Sequence, residues 1–233
     1  MHEHAQARRP IDNMIVNGDL DGLLRLAETL HGHLCPFVSL GVKAGQYAMA
    51  HLKRSNTGME EIVAIVECNN CFTDGVQVVT GCTFGNNALV FRDLGKTAVT
   101  VAVRDSGEAI RLVVTPDYRD RLLTRYPNVE PLFRKVVVER QGTPEDEHRL
   151  WHMWSSLARR ELTAPLEEQF RIQHLKVEIP EYAPIYETRL CSGCGEGVMA
   201  PRLVAVNGRE LCLTCAGKVY YQLTGQGIGT SGV

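Results

Sequence analysis

The sequence predicts an α+β fold, with a mixed helix/sheet core domain followed by a small treble-clef-like zinc ribbon. The first reason is periodicity: some segments repeat apolar residues at helical spacing and others run through β-branched residues, without the alternation of a βαβ chain. The second is the cysteines, eight in all, which split into an early and a late group, the late one made of two Cys-x-x-Cys pairs. The third is composition. With 44% hydrophobic and 22% charged residues over 233 positions, the chain is globular rather than disordered or collagen-like.

The elements follow in order. Between Gly18 and Leu30, the residues Leu20, Leu23, Leu24, Ala27 and Leu30 share one helical face, with Asp19 placed to cap it. Pro36 opens a second helix to about Leu52, since a first-turn proline lacks only an amide proton that had no intrahelical partner. Its small residues Gly41, Ala44, Gly45 and Ala48 let another backbone approach, offsetting the ~1 kcal/mol that each mid-helix glycine costs. Residues 62–67 read as a buried strand, and Asp74 as the cap of a short helix through Val79. Residues 97–103 and 109–114 form a hairpin around Asp105-Ser106-Gly107-Glu108. A helix is expected from Pro116 to Tyr126. From Pro144 to about Gln173 the chain reads as mostly helical, interrupted at Pro165, before a short strand at 175–179. The core is therefore expected over 1–180, a linker over 181–187, the ribbon over 188–222 and a flexible tail over 223–233.

Cys191, Cys194, Cys212 and Cys215 pair as two knuckles with seventeen residues between Cys194 and Cys212. Two residues between cysteines let both sulfurs reach one ion, and two such pairs complete a tetrahedron, which fits a structural zinc. Redox dithiols are the other reading of that spacing. Asn207-Gly208 marks a hairpin between the knuckles, and the second knuckle is expected to open a short helix through Tyr220. Four basic residues (Arg189, Arg202, Arg209, Lys218) face Glu196 and Glu210, and four thiolates around a dication add about −2. The near-zero balance favours a protein partner over nucleic acid.

In the early group, His31, His33 and Cys35 alternate just before Pro36, which sets Cys35 at a helix N-terminus where the amide dipoles favour a thiolate. That is either a metal-ligand set or an activated nucleophile. Cys71 follows the buried strand and Cys82 lies in a glycine-bearing loop, so His31, His33, Cys35, Cys71 and Cys82 are grouped as one core metal site or pocket. Cys35 and His33 are its catalytic candidates, with Cys35 the most reactive thiol. Cys68 reads as a buried small hydrophobe. His148 and His152, four apart on a helix, lack an obvious third ligand and read as solvated; His2 and His4 read as disordered. Trp151 and Trp154 read as core or interface anchors, and with the small-residue stripe they offer close-packing surface for a homodimer, although either face would serve equally inside the fold.

Charge is nearly balanced, 25 basic against 27 acidic residues, which argues against broad attraction to nucleic acid or anionic lipid. There is no apolar run of roughly 18 residues and no signal-peptide order at the N-terminus, so no membrane role and a cytoplasmic location are expected.

Taken together, His31-Gly32-His33-Leu34-Cys35-Pro36, Glu67 through Cys71, Asp74, Gln77, Thr80-Gly81-Cys82-Thr83-Phe84-Gly85 and Arg92-Asp93-Leu94-Gly95-Lys96 resemble the FmdE family of formylmethanofuran dehydrogenase components, many of whose members carry a terminal zinc-binding domain. Phe37 stands where that family usually has glycine. The resemblance implies a pocket of His33, Cys35, Cys71 and Cys82 supported by His31, Asp74, Gln77 and Lys96, a second transition metal there, and a dimer. The function it implies is a metal-dependent enzyme or accessory protein of one-carbon or redox metabolism. A non-catalytic metal-trafficking protein and a regulatory adaptor acting through the ribbon are the alternatives.

Overall fold

The computed structural model describes residues 7–231; His2 and His4 lie outside the described residues. The chain divides into two compact units between Pro180 and Glu181.

The first unit begins with α1 (Arg9–Asn17), α2 (Leu20–His31) and α3 (Pro36–Leu52). Asp19 caps α2 by accepting from the Gly22 amide. After β1 (Ile62–Val66), α4 spans Cys71–Thr80. Its cap is Asn70, whose side chain accepts from the Phe72 amide, so the cap falls four residues before the expected Asp74. Cys71 thereby becomes the first residue of a helix, and Asp74 is left available for another partner.

β2 (Leu89–Phe91), β3 (Ala98–Val103) and β4 (Glu108–Val114) follow, then α5 (Tyr118–Arg125), α6 (Val129–Phe133), a π-turn over Arg134–Val138, α7 (Pro144–Thr163), α8 (Leu166–Gln169) and β5 (Phe170–Lys176). The sheet runs β2-β1-β3-β4-β5, antiparallel throughout except for the parallel β1–β2 pair. The last strand sits earlier than expected, because residues 170–173, helical in local character, instead pair with β4 from Val114↔Phe170 to Glu108↔Lys176. Long-range strand pairing here overrides local helical preference. The helices α1 and α6 and the three-residue β2 have no clear sequence signal.

The core packs Leu23, Leu24, Val38, Val42, Phe72 and Val76 from the helices against Ala64, Val101 and Leu112 from the sheet. The small-residue stripe of α3 is used inside this core. A Cβ at Gly41 would overlap the Phe72 carbonyl oxygen, one at Gly75 would overlap the Val38 carbonyl oxygen, and one at Gly45 would lie 2.9 Å from Val79 Cβ. The backbones of α3 and α4 are thus in direct contact.

A buried polar network ties α3 to the α7–α8 corner. The Lys43 ammonium donates to the carbonyls of Glu161 (3.0 Å) and Ala164 (2.6 Å) and to the Gln169 side-chain oxygen. The Glu161 carboxylate accepts from the Tyr118 hydroxyl (3.1 Å) and the Gln169 amide (2.6 Å). Burial lowers Lys43 to about 8, yet three acceptors still satisfy its three protons. This network fixes α7, which carries both tryptophans.

The second unit consists of three hairpins: β6 (Thr188–Leu190) with β7 (Gly197–Met199), β8 (Leu203–Val206) with β9 (Arg209–Cys212), and β10 (Tyr220–Thr224) with β11 (Gly227–Ser231). Two expectations are corrected here. The second knuckle opens a turn rather than a helix, which Gly217 at φ 59° ends, and residues 227–231 of the supposed flexible tail form the return strand of a hairpin.

Candidate metal centre

Three helix ends meet in the first unit. His31 closes α2, and Gly32 at φ 86° turns the chain in the left-handed conformation that glycine tolerates. His33 sits in the connecting loop, Cys35 is the extended N-cap of α3, and Cys71 is the first residue of α4. One ligand atom from each of His31, His33, Cys35 and Cys71 lies within 4.8 Å of the others. The Nε2 atoms of both histidines are buried without a hydrogen-bond partner. Buried polar nitrogens are rarely left so, and here both belong to a group that also holds two sulfurs.

His31 is oriented from behind. Its Nδ1 lies 2.7 Å from Asp74 Oδ2, and Gln77 Nε2 donates to Asp74 Oδ1 at 3.0 Å. A carboxylate on one ring nitrogen fixes the tautomer and presents the lone pair of the other, as carboxylate–histidine–metal triads do. The His33 ring contacts Trp151 (centroids 4.8 Å apart) and stacks with Trp154 (5.4 Å, 23° between planes), and Phe133 backs Trp154 at 5.8 Å.

The two thiols are inequivalent. Cys35 donates a hydrogen bond to Cys71, and with burial this pushes the Cys35 thiol well up. The same bond, helped by His31, brings Cys71 down to about 6. Cys71 is half-buried where Cys35 is 3% exposed. Burial, then the charge of His31, lowers His33. Sequence position favours Cys35 as the reactive thiol; its deeper burial works against its charged form, whereas Cys71 is the more accessible of the two.

The other sequence candidates fall elsewhere. Cys82 does not join the group: its buried Sγ lies 3.3 Å from the Ile62 carbonyl and 3.8 Å from Asn56 Nδ2, and desolvation raises it to about 11. It follows the C-terminal end of α4, at the opposite end of that helix from Cys71. Lys96 is exposed, with its backbone amide on the Glu67 carbonyl, and its charge acts on Glu67 together with those of Arg111 and Arg92. Cys68 lies 3.5 Å from Asn70 Oδ1. Phe37 packs edge-on against Tyr118. The tryptophan wall around His33 has no local signature; helical spacing marks Trp151 and Trp154, but nothing near them in sequence shows which loop their face meets.

In the second unit, Cys191, Cys194, Cys212 and Cys215 also bring their sulfurs within 4.8 Å of one another. Backbone amides of Gly193 (3.4 Å) and Cys212 (3.2 Å) point at Cys191 Sγ, and that of Cys215 at Cys212 Sγ (3.4 Å). Amides directed at sulfur stabilise thiolates, so the donor set fits a divalent ion closed in by four cysteines.

An α+β unit with a half-buried His/Cys group, joined to a four-cysteine ribbon, defines a metal-binding protein with two distinct clusters. Residues 30–171 match the family described as FmdE, molybdenum formylmethanofuran dehydrogenase operon, and the chain belongs to that family. Residues 184–221 match the prokaryotic dksA/traR C4-type zinc finger. A probable S-adenosyl-L-methionine-binding protein of Archaeoglobus fulgidus is 44% identical over 213 residues, covering 90% of this chain. The chain spans only 56% of that relative's length, so the binding named for it describes a longer protein. The crystal structure of an FmdE-like protein of the tungsten formylmethanofuran dehydrogenase type, from Syntrophus aciditrophicus, shares the fold, with TM-score 0.51 and 22% identity over 85% of this chain and 92% of that one. Among the described residues no helix is long and apolar enough to cross a membrane.

Proposed function

We propose that His31, His33, Cys35 and Cys71 hold a transition metal and that the chain acts as a metal-dependent enzyme or accessory protein, its ribbon closed by a structural zinc. The observation carrying this is the pair of buried, unpartnered imidazole nitrogens facing two sulfurs, with Asp74 behind His31. Two nitrogens and two sulfurs suit zinc or iron. A bound ion supplies Lewis acidity or a change of charge at the substrate.

The chain's own groups have separate tasks. Asp74 keeps the Nδ1 proton on His31 so that Nε2 offers its lone pair, and Gln77 keeps Asp74 in place. Cys71 enters as thiolate, whereas Cys35 gives up its proton on metal binding. Trp151, 40% exposed, offers an indole face beside His33 along which a planar or apolar substrate group can lie.

Unpaired thiols in both clusters suit a reducing compartment such as the cytoplasm. The adaptor reading draws support from exposed Leu190, Met199, Tyr221 and Ile228 in the second unit, apolar side chains suited to a protein partner rather than nucleic acid. A homodimer belongs to this proposal on the family resemblance alone, since the α3 glycines pack inside the fold and Trp154 packs on the core. Light scattering is expected to give twice the 25.9 kDa chain mass; a monomer mass at every concentration overturns the dimer.

The test of the core is elemental analysis of the full chain purified without oxygen. Two transition-metal ions per chain are expected. A single ion that disappears when the ribbon cysteines are replaced overturns the core site.

A further inference from the structure

The sulfurs of Cys35 and Cys71 lie within 4.8 Å of each other, one just before α3 and the other first in α4. A disulfide needs Cα atoms about 4.4–6.8 Å apart, whereas helices spaced by side chains keep their axes about 8–10 Å apart. α3 and α4 approach more closely, because their main chains touch beside the two cysteines. Gly41 lies against the carbonyl of Phe72, the residue after Cys71, and Gly75 against that of Val38, three residues after Cys35. Access divides the pair: Cys71 is half-buried and open to a small oxidant, while Cys35 is 3% exposed. The other early thiols face oxygen atoms instead, Cys68 lying 3.5 Å from Asn70 Oδ1 and Cys82 3.3 Å from the Ile62 carbonyl.

We propose that Cys35 and Cys71 are a modification site, closing into a reversible disulfide under a hydroperoxide. Resting on the reading of this group as a metal centre, the disulfide removes two of its four donors and releases the core ion. Cys71 Sγ attacks the peroxide, so that an S–O bond forms as the O–O bond breaks, giving a sulfenic acid and an alcohol or water. Cys35 Sγ then attacks Cys71 Sγ, and the new S–S bond displaces the hydroxyl, which leaves with a proton as water. The two sulfurs lose two electrons and the hydroperoxide gains them. From the metal-bound pair both sulfurs start as thiolates, and the two protons come from water. His31 and His33 are left as the remaining donors. A dithiol reductant reopens the bond, as befits a transient disulfide in a reducing compartment.

The test treats the full chain, purified without oxygen, with a slight excess of hydrogen peroxide. Cross-links are mapped by peptide mass after alkylation, and bound metal is counted before and after. Linkage of Cys35 to Cys71 should exceed any other pairing among Cys35, Cys68, Cys71 and Cys82 at least tenfold, and dithiothreitol should remove it. The parent should lose one ion per chain, whereas Cys71→Ser, carrying the ribbon ion alone, should lose none. Cys35→Ala should stop at a Cys71 sulfenic acid that dimedone traps. In the parent, a Cys68–Cys71 link, or Cys71 carried to sulfinic acid with Cys35 still a free thiol, overturns the proposal. Ion loss from Cys71→Ser equal to the parent's also overturns it, because the ion then comes from the ribbon. The linkage in a chain that held only the ribbon ion bears out the disulfide and overturns the metal centre; two ions without the linkage do the reverse.

Discussion

Replacing Cys71 with serine should remove one metal ion per chain and leave the ribbon ion in place. A hydroxyl is a poor substitute for a thiolate toward a borderline ion, and Cys71 is the member of the group already biased to the charged form. Its position, first in α4 behind the Asn70 cap, lets serine fit without disturbing the helix, so circular dichroism should be unchanged. A graded companion is Asp74→Asn. It removes the charge behind His31 Nδ1 while keeping its shape, and should weaken core metal affinity by about 10–100-fold without emptying the ribbon. Alkylation read by peptide mass provides the third arm. In the chelated protein Cys71 should label before Cys35, and bound metal should protect both. Full metal content in Cys71→Ser, or equal slow labelling of both cysteines with and without chelator, would reduce the group to ordinary buried thiols.

Cys191→Ser should have the largest effect on folding, and only in the second unit. Its hairpins have three to five residues per strand, Cys191 and Leu211 are its buried apolar side chains among the described residues, and so little apolar burial cannot by itself offset chain entropy. Metal binding free energy is then local folding free energy. The variant should lose one zinc and become protease-sensitive beyond Pro184, while the first unit keeps its melting transition. Protection of residues 188–222 equal to the parent's would rule out zinc as the organiser of the ribbon.

What is legible in the sequence is what depends on local chemistry. Pro36 marks the start of α3, the β-branched run at 62–66 marks β1, the Gly107 turn marks the β3–β4 hairpin, and knuckle spacing marks the ribbon cluster. Motif and loop context likewise group His31, His33, Cys35 and Cys71. Less visible are features decided by distant partners. Cys82 shares the loop chemistry of that group, but only the folded path of the chain after α4 shows its sulfur at the Ile62 carbonyl. Residues 170–173 carry helical character that β4 overrules. Asn70 and Asp74 both have capping side chains, and choosing between them requires knowing that His31 claims Asp74.

The contact between α3 and α4 bears on how this centre tolerates change over evolutionary time. Cys35 lies six residues before Gly41 and Cys71 four before Gly75, about 9 Å and 6 Å along their helices. Because the helices meet there through main-chain atoms, the gauge between the two sulfurs holds as long as positions 41 and 75 remain glycine. Drift among the surrounding valines and leucines can reshape the interior without detuning the sulfur spacing. Such insulation would leave the aromatic wall on α7 free to change while the sulfur spacing stays constant.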